Sequence, residues 1–265
     1  MDVAVISLNE EFSTSELKKL FPLALVYVQK GVNLKQVSDI NLYKSGIIGA
    51  SAFTTIHEGR KWHWELNSKG GVGLVQANRF ALSKNSDPIL MLEDDFNIYN
   101  EAKFLHEMSL LKKNEMDFDY AVFGALYQGD ERNLTPVNFM PKGWYFLNDD
   151  KFWYTHCVFY SRRGRNKVAD YLSNNRLEMQ IDGLLSFLAE VEHSKCIIQI
   201  SDISVGQTLH PSSIQTDAGW CYLCDLAPEH IPERIVYKET IAFIMVSLIC
   251  AVAFVCMNKR KMFCS

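Results

Sequence analysis

Three consecutive carboxylates, Glu93-Asp94-Asp95, stand at the end of an unbroken apolar run, Ile89-Leu90-Met91-Leu92. A run of this length after the punctuation of Asp87-Pro88 reads as a buried strand. Like charges packed at a strand end repel unless something cationic sits among them. A hard divalent ion such as Mn²⁺ or Mg²⁺ takes oxygen ligands and commonly bridges carboxylates to phosphates. Such a site suits a diphosphate leaving group, whose developing charge a metal neutralises. In an open α/β sheet, ligands collect beyond the carboxyl ends of the strands, where this triplet falls. The competing reading is an exposed acidic turn in which Asp95 caps the helix that follows.

Other residues could contribute, each with a plainer alternative. Arg162, Arg163 and Arg165 could pair a diphosphate or an acidic acceptor, against a solvated cluster at a helix start. Trp62, His63 and Trp64 could offer an aromatic face to a sugar ring, against ordinary core packing. Cys221-Tyr222-Leu223-Cys224 with His230 has no second pair to complete a zinc site and reads as structural.

The elements around these residues follow an α/β order. Val3 to Leu8 reads as a first strand, Ser15 to Leu20 as a helix and Leu23 to Val28 as a second strand, which suggests parallel pairing. Residues 47–67 read as loop with short elements. Gly70-Gly71-Val72-Gly73 breaks the chain before a helix running to about Lys84. Phe104, Leu105, Met108 and Leu111 give helical spacing within Glu101 to Lys113. Tyr120 to Leu126 and Tyr154 to Tyr160 read as strands, Gly164 to Leu172 and Ile181 to Val191 as helices, and Cys196 to Ile200 as a late strand.

The stretch Gly70 to Asn97, with its glycines, its helix and then Pro88 to Asp95, resembles glycosyltransferase family 25, which includes lipopolysaccharide- and collagen-modifying sugar transferases. Tyr154 to Tyr160 followed by Ser161-Arg162-Arg163-Gly164, then Gln180-Ile181-Asp182, and Val205-Gly206-Gln207 to Asp217, resemble later segments of that family. The similarity runs over roughly Val3 to Asp217, and its central block is the specific part. It implies a GT-A-like, Rossmann-type α/β nucleotide-sugar domain with a mostly parallel central sheet over residues 1–227. It also implies metal dependence and inversion at the anomeric carbon, with a UDP-hexose as the type of donor. By this resemblance Asp95 and Glu93 are metal ligands, with His210 a further one. Glu93, Asp94 and Asn78 contact the nucleotide-sugar, and Asp182 is the general base beside a hydroxyl of a protein, lipid or glycan acceptor. The plainer role for Asp182 is a helix N-cap, and for His210 a structural or exposed histidine. One departure stands out: the family usually carries Ser-His where this chain has Ala77-Asn78, and Asn78 cannot titrate. A catalytically impaired binding or scaffold protein is therefore the second expectation. A metal-dependent phosphoryl hydrolase is the third, although no second His/Asp cluster suited to two metals is present.

The chain has 265 residues, 48% hydrophobic and 22% charged, which excludes disordered, collagen-like and disulfide-dense classes. A formal net charge of -4 gives no sign of a nucleic-acid binder. Residues 228–240 read as a linker marked by Pro228 and Pro232. Residues 241–257 are apolar except Ser247, and roughly 17 residues at 1.5 Å each span about 25 Å, a little short of a hydrocarbon core. Val236, Tyr237 and a snorkelling Lys259 can make up the difference, so this run reads as a single C-terminal transmembrane helix followed by a basic tail, 258–265. The basic tail favours a cytoplasmic C-terminus. The absence of a basic leader and cleavage site at the N-terminus, and cysteine spacing unlike a disulfide framework, favour a cytoplasmic catalytic domain on a tail anchor.

Overall fold

In the first strand, β1 (Asp2–Ser7), every residue is buried. Its side chains alternate between two cores: Ala4 and Ile6 enter one, Val3 and Val5 the other. The same division recurs in β3 (Ile89–Glu93), where Ile89 and Met91 face one core and Leu90 and Leu92 the other. A strand buried on both faces must be apolar throughout, which is why these runs lack a polar alternation.

The computed structural model describes residues 1–9, 11–58, 64–148 and 150–207. All of them fall in the first of two units of the chain, Met1–Cys221. Between β1 and β3 come α1 (Ser15–Leu20), β2 (Leu25–Lys30), α2 (Asp39–Lys44), α3 (Ala50–Glu58) and α4 (Lys69–Leu82). After β3 follow β4 (Phe96–Ile98), α5 (Glu101–Lys113), β5 (Tyr120–Val122), β6 (Leu134–Pro136), β7 (Trp144–Leu147) and β8 (Cys157–Tyr160). The described part closes with α6 (Arg162–Asn174), α7 (Ile181–Glu190), β9 (Cys196–Gln199) and β10 (Val205–Gln207).

Eight strands form one sheet in the order β2-β1-β3-β8-β5-β9-β7-β6, and β4 pairs with β10 in a separate antiparallel ribbon. α4, α6 and α7 bury Val75, Val168 and Leu185 in the core on one face. α1 and α5 bury Leu17, Phe104 and Met108 in the core on the other. The result is an α/β sandwich with helices on both sides of the sheet. β1 pairs parallel with β2 and β3, and β5 with β9, but β8 runs antiparallel to both β3 and β5, and β7 to both β6 and β9. Most strands thus share one direction, while the sheet is mixed rather than nearly all parallel. The connections explain this. β5 reaches β8 through the β6–β7 hairpin, so β8 returns against it, whereas β1, β2 and β3 are joined through helices, which parallel neighbours require.

Several element boundaries differ from the sequence reading. Residues 47–67 contain a real helix, α3, whose first turn is held by Glu178 accepting from the Ala52 N–H at 2.8 Å. The glycines at 70, 71 and 73 do not precede α4 but lie inside its first turns, with Ser68 capping Gly71 N–H at 3.0 Å. A Cβ at Gly73 would sit 2.0 Å from the Val32 carbonyl oxygen, so glycine is what lets the helix approach the loop after β2. The strand expected at Tyr120 to Leu126 stops at Val122, because the chain turns at Gly124 with φ +58°. The proposed linker, the transmembrane segment 241–257 and the tail lie outside the described residues. Among the described residues no helix is long and apolar enough to cross a membrane.

Candidate active site

β3 delivers the triplet at its carboxyl end, beside the parallel ends of β1 and β2. Glu93 closes the strand, and its N–H still donates to the His156 carbonyl at 2.9 Å, so its position is fixed by the sheet. Asp94 and Asp95 form the turn into β4. The helix that follows, α5, is capped by Asn100, whose side chain accepts from Lys103 N–H at 3.0 Å. Asp95 is therefore not the cap of that helix, while the acidic turn of the plainer account is present, with Asp94 exposed.

Each carboxylate of the triplet has a distinct neighbour. Thr155 Oγ1 donates to Glu93 Oε1 at 3.2 Å, and Ser7 Oγ donates to Asp94 Oδ2 at 2.6 Å. Gln207 Nε2 donates to Asp95 Oδ2 at 2.5 Å. Burial, then the negative charge of Asp95, push the Glu93 carboxyl up to about 8, with Asp182 and Asp94 adding to the rise and the Thr155 hydrogen bond opposing it. Asp182, 89 positions further along the chain, thus joins the same electrostatic cluster. It stands in the first turn of α7, where Gln180 occupies the N-cap position, and its Oδ1 accepts from Gly183 N–H at 2.7 Å. Asp182 is not the N-cap that the plainer reading would make it. The start of α7 is held by the Trp64 carbonyl, which accepts from Gln180 N–H at 2.9 Å, while Lys151 Nζ lies 3.9 Å over the Trp64 ring.

A pocket opens between the triplet and the ends of β1 and β2. Ile6, Leu8, Val32, Asn33 and Lys35 form its walls, Gly70, Gly73 and Leu74 bring in α4, and Glu93 and Asp94 close one end. An apolar cleft with a few convergent polar groups is the usual form of a small-molecule site.

His156 was not singled out by sequence reasoning. It is 2% exposed and lies against the Val205 backbone and Gly124. Burial lowers its pKa from the ordinary histidine value, while the Val205 carbonyl and the Asp95 carboxylate act the other way. Thr155, Ser7 and Gln207 were also missed as contacts of the triplet. The available signal was positional: Thr155-His156 lead into the strand paired with β3, and Gln207 lies in the segment, 205–217, read as resembling the family's closing part.

The other expected residues divide clearly. Asn78 is buried in α4 and gives its amide to the Leu74 carbonyl of its own helix at 3.0 Å; of α4, Gly70, Gly73 and Leu74 line the pocket. Of the three arginines, Arg162 and Arg163 are exposed at the start of α6, as the plainer reading has it, and Arg165 is not. Arg165 is fully buried and donates to the Leu82, Ala81 and Asp87 carbonyls at 2.8, 2.8 and 2.6 Å, with Asp2 Oδ2 at 3.3 Å. Arg163 pairs with Asp119 at 2.5 Å and Arg162 with Asp87 at 3.3 Å. His210, Trp62, His63, Cys221, Cys224 and His230 lie outside the described residues. Among the described residues no three His, Cys, Asp or Glu side chains are grouped to hold a metal ion. The donor chemistry nonetheless fits a hard divalent cation, which commonly takes one or two carboxylates and completes its shell with phosphate oxygens and water. Burial is the first cause of the rise at Glu93, and the second, the negative charge of Asp95, is what such a cation would relieve.

No family model matches this chain, and no curated protein does. Among the solved structures similar to it is a UDP-glucose pyrophosphorylase complexed with UDP-glucose, with TM-score 0.40 and 10% identity over 78% of this chain and 92% of that one. Another is the galactosyltransferase LgtC in complex with donor and acceptor sugar analogues, with TM-score 0.35 and 9% identity over 80% and 88%. A third is a mannose-1-phosphate geranyltransferase from Thermus thermophilus, with TM-score 0.35 and 8% identity over 77% and 75%. Likeness of this degree carries no argument for function, which rests on the site itself.

Proposed function

We propose that this chain is a metal-dependent glycosyltransferase of the family 25 type, on a GT-A-like domain. It moves a sugar from a nucleotide-diphosphate donor such as a UDP-hexose to a hydroxyl of a protein, lipid or glycan acceptor, with inversion. The observation that carries this reading is that Glu93, Asp94 and Asp95 stand at the carboxyl end of a strand in the parallel group, beside a pocket, with Asp182 of α7 within electrostatic reach of Glu93. Burial first, and then the charge of Asp95, hold Glu93 near 8.

In this reading Asp95 and Glu93 hold Mn²⁺ or Mg²⁺, with His210 as a further ligand. When bound, the metal neutralises charge on the departing diphosphate. The pocket beside Asn33, Lys35 and Gly73 receives the nucleoside, with Asp94 and Glu93 at its ribose end. Asp182 takes the proton of the acceptor hydroxyl from the start of α7, as general base. Residues 241–257 anchor the enzyme as a single-pass membrane protein, with the catalytic domain on the cytoplasmic side.

The test is a thermal-shift screen of UDP-, GDP- and CMP-sugars with the full chain, with and without Mn²⁺. A ligand bound only by the native state at a hundred times its Kd stabilises by about 2.7 kcal/mol. One sugar nucleotide should raise Tm only when metal is present, and Asp95→Asn should abolish the rise. If no sugar nucleotide binds or is hydrolysed, the proposal fails.

A second reading, a binding or scaffold protein that has lost turnover, draws support from Asn78, whose amide is committed to its own helix. It expects donor binding without sugar transfer to any acceptor, and Asp95→Asn that leaves the biological role intact.

A further inference from the structure

Tyr154 is a bulky residue in the left-handed region of backbone space, at φ +72°. A residue with a Cβ takes that conformation against strain, and it persists only where the surroundings fix the chain. Tyr154 is held on both sides. Trp153 exchanges two backbone hydrogen bonds with Leu126, at 2.9 and 3.0 Å, and Thr155 gives its hydroxyl to Glu93 at 3.2 Å. The next residue, His156, accepts from Glu93 N–H at 2.9 Å. The chain must therefore turn at Tyr154 to pass from its bridge with Leu126 to the triplet.

The same segment also lies along α7. Phe152 is fully buried and gives its N–H to Ser186 Oγ at 3.3 Å, while Lys151 lies over the Trp64 ring. Trp64 in turn packs on the first turn of α7, where a Cβ at Gly183 would lie 2.6 Å from the Trp64 Cβ. Tyr154 thus stands where the chain leaves α7, the helix that carries Asp182, and reaches Glu93. The sheet order puts this place on the far side of the triplet from the pocket. The pocket lies at the ends of β1 and β2, Tyr154 leads into β8, and β3 stands between them.

Folding does not hide the side chain. Trp153 and Thr155 are half-buried, whereas Tyr154 is 47% exposed, so core packing is not what offsets the strain. Strained positions of this kind concentrate at ligand-binding sites. A pyranose presents apolar C–H faces that pack on an aromatic ring, and tyrosine offers that area with little rotamer freedom to lose.

We propose that Tyr154 is the platform for the acceptor and that the acceptor is a pyranose, its ring packed on Tyr154 and a hydroxyl turned toward Asp182. This rests on the sugar-transfer reading above and narrows it from any hydroxyl to that of a glycan. Donor and acceptor then approach from opposite sides of β3, the nucleoside from the β1–β2 side and the glycan from the β8 side.

The test follows methyl glycosides of glucose, galactose and mannose by saturation-transfer NMR on the full chain with UDP and Mg²⁺, and follows UDP by thermal shift. At least one glycoside should bind. Tyr154→Asn and Tyr154→Gly accept the left-handed backbone and should move Tm by no more than about 4 °C. Both should bind UDP like the unchanged chain yet weaken the glycoside about tenfold or more, the loss expected for an aromatic face of this size. Tyr154→Phe keeps the ring and should bind the glycoside within about threefold of the unchanged chain. Glycoside binding that survives in Tyr154→Asn, or is lost in Tyr154→Phe, overturns the inference. So does a larger fall of Tm in both Tyr154→Asn and Tyr154→Gly, which would make the ring a support of the fold. If the unchanged chain binds UDP but none of the glycosides, the acceptor is of another class, and the inference fails while the broader reading stands. If it binds neither, both fall together.

Discussion

Glu93 carries the clearest electrostatic signature in the molecule, and its sign can be worked through. Its carboxyl is raised from 4.5 to about 8 in the folded chain, chiefly by burial and then by Asp95. The folded state therefore binds the proton more tightly than the unfolded state. Stability from the protonated form is fully present below about pH 4.5 and is lost as pH rises through about 8. In chelator, Tm should fall between about pH 5 and 8.5; Glu93→Gln should flatten that fall, and Asp95→Asn should reduce it. A Tm that rises over the same window would contradict the charge crowding on which the site rests. The arginines provide a second contrast. Arg165→Ala strips a buried charge from Asp2 and three carbonyls and should cost about 3–5 kcal/mol in urea unfolding. Arg162→Ala removes only an exposed pair with Asp87 and should cost less than about 1 kcal/mol. The triplet was legible from sequence because an apolar run announces its own end. His156 and Gln207 were not, since what singles them out is a strand neighbour 63 and 112 positions away from Glu93 and Asp95 respectively.

At the scale of elements, two contacts hold the frame of the site. α4 meets the loop after β2 so closely that Gly73→Ala must move one of them, because its Cβ would lie 2.0 Å from the Val32 carbonyl. Overpacking of this kind costs about 1–3 kcal/mol, and since Gly73 lines the pocket, any nucleotide affinity should fall with it. Urea midpoints and ligand titrations on the same variant separate the two effects. Glu107→Ala leaves Trp144, Gln199 and Ser204 donors buried without their acceptor, at about 1–3 kcal/mol for each group left unsatisfied. Its Tm should drop well below that of Glu107→Gln, which keeps one acceptor oxygen. α5 could be read from its helical spacing, and β3 from its unbroken apolar run, almost to the residue. The β4–β10 ribbon could not: strands of three residues are too short to show a period, and their pairing spans more than a hundred positions. The extent of α3 was hidden for a different reason, since its N-terminus is satisfied by Glu178 from the far side of the chain.

For the whole molecule, the order of strands and helices was enough to give an α/β sandwich, because parallel pairs require helical crossovers. It was not enough to give β8 its direction, which depends on the β6–β7 hairpin turning the chain back before Trp153. That strand has a consequence for how the protein is made. β2, β1 and β3 form one parallel group, and β5, β9, β7 and β6 another; β8 alone joins them. A chain still growing on the ribosome and short of Thr155 would carry β2, β1 and β3 as one parallel group with an open edge, β6 and β7 as a hairpin, and β5 without either of its sheet neighbours, β8 and β9. Closure should come in two steps, β8 joining β5 to β3, and then β9, which follows it in the chain, joining β7 to β5. Nascent chains arrested before Cys157 should be cut readily by protease, and those in which β9 has emerged should resist. Thr155 and His156 reach the triplet with the first step, and four residues, Cys157 to Tyr160, are the seam between the two groups of strands.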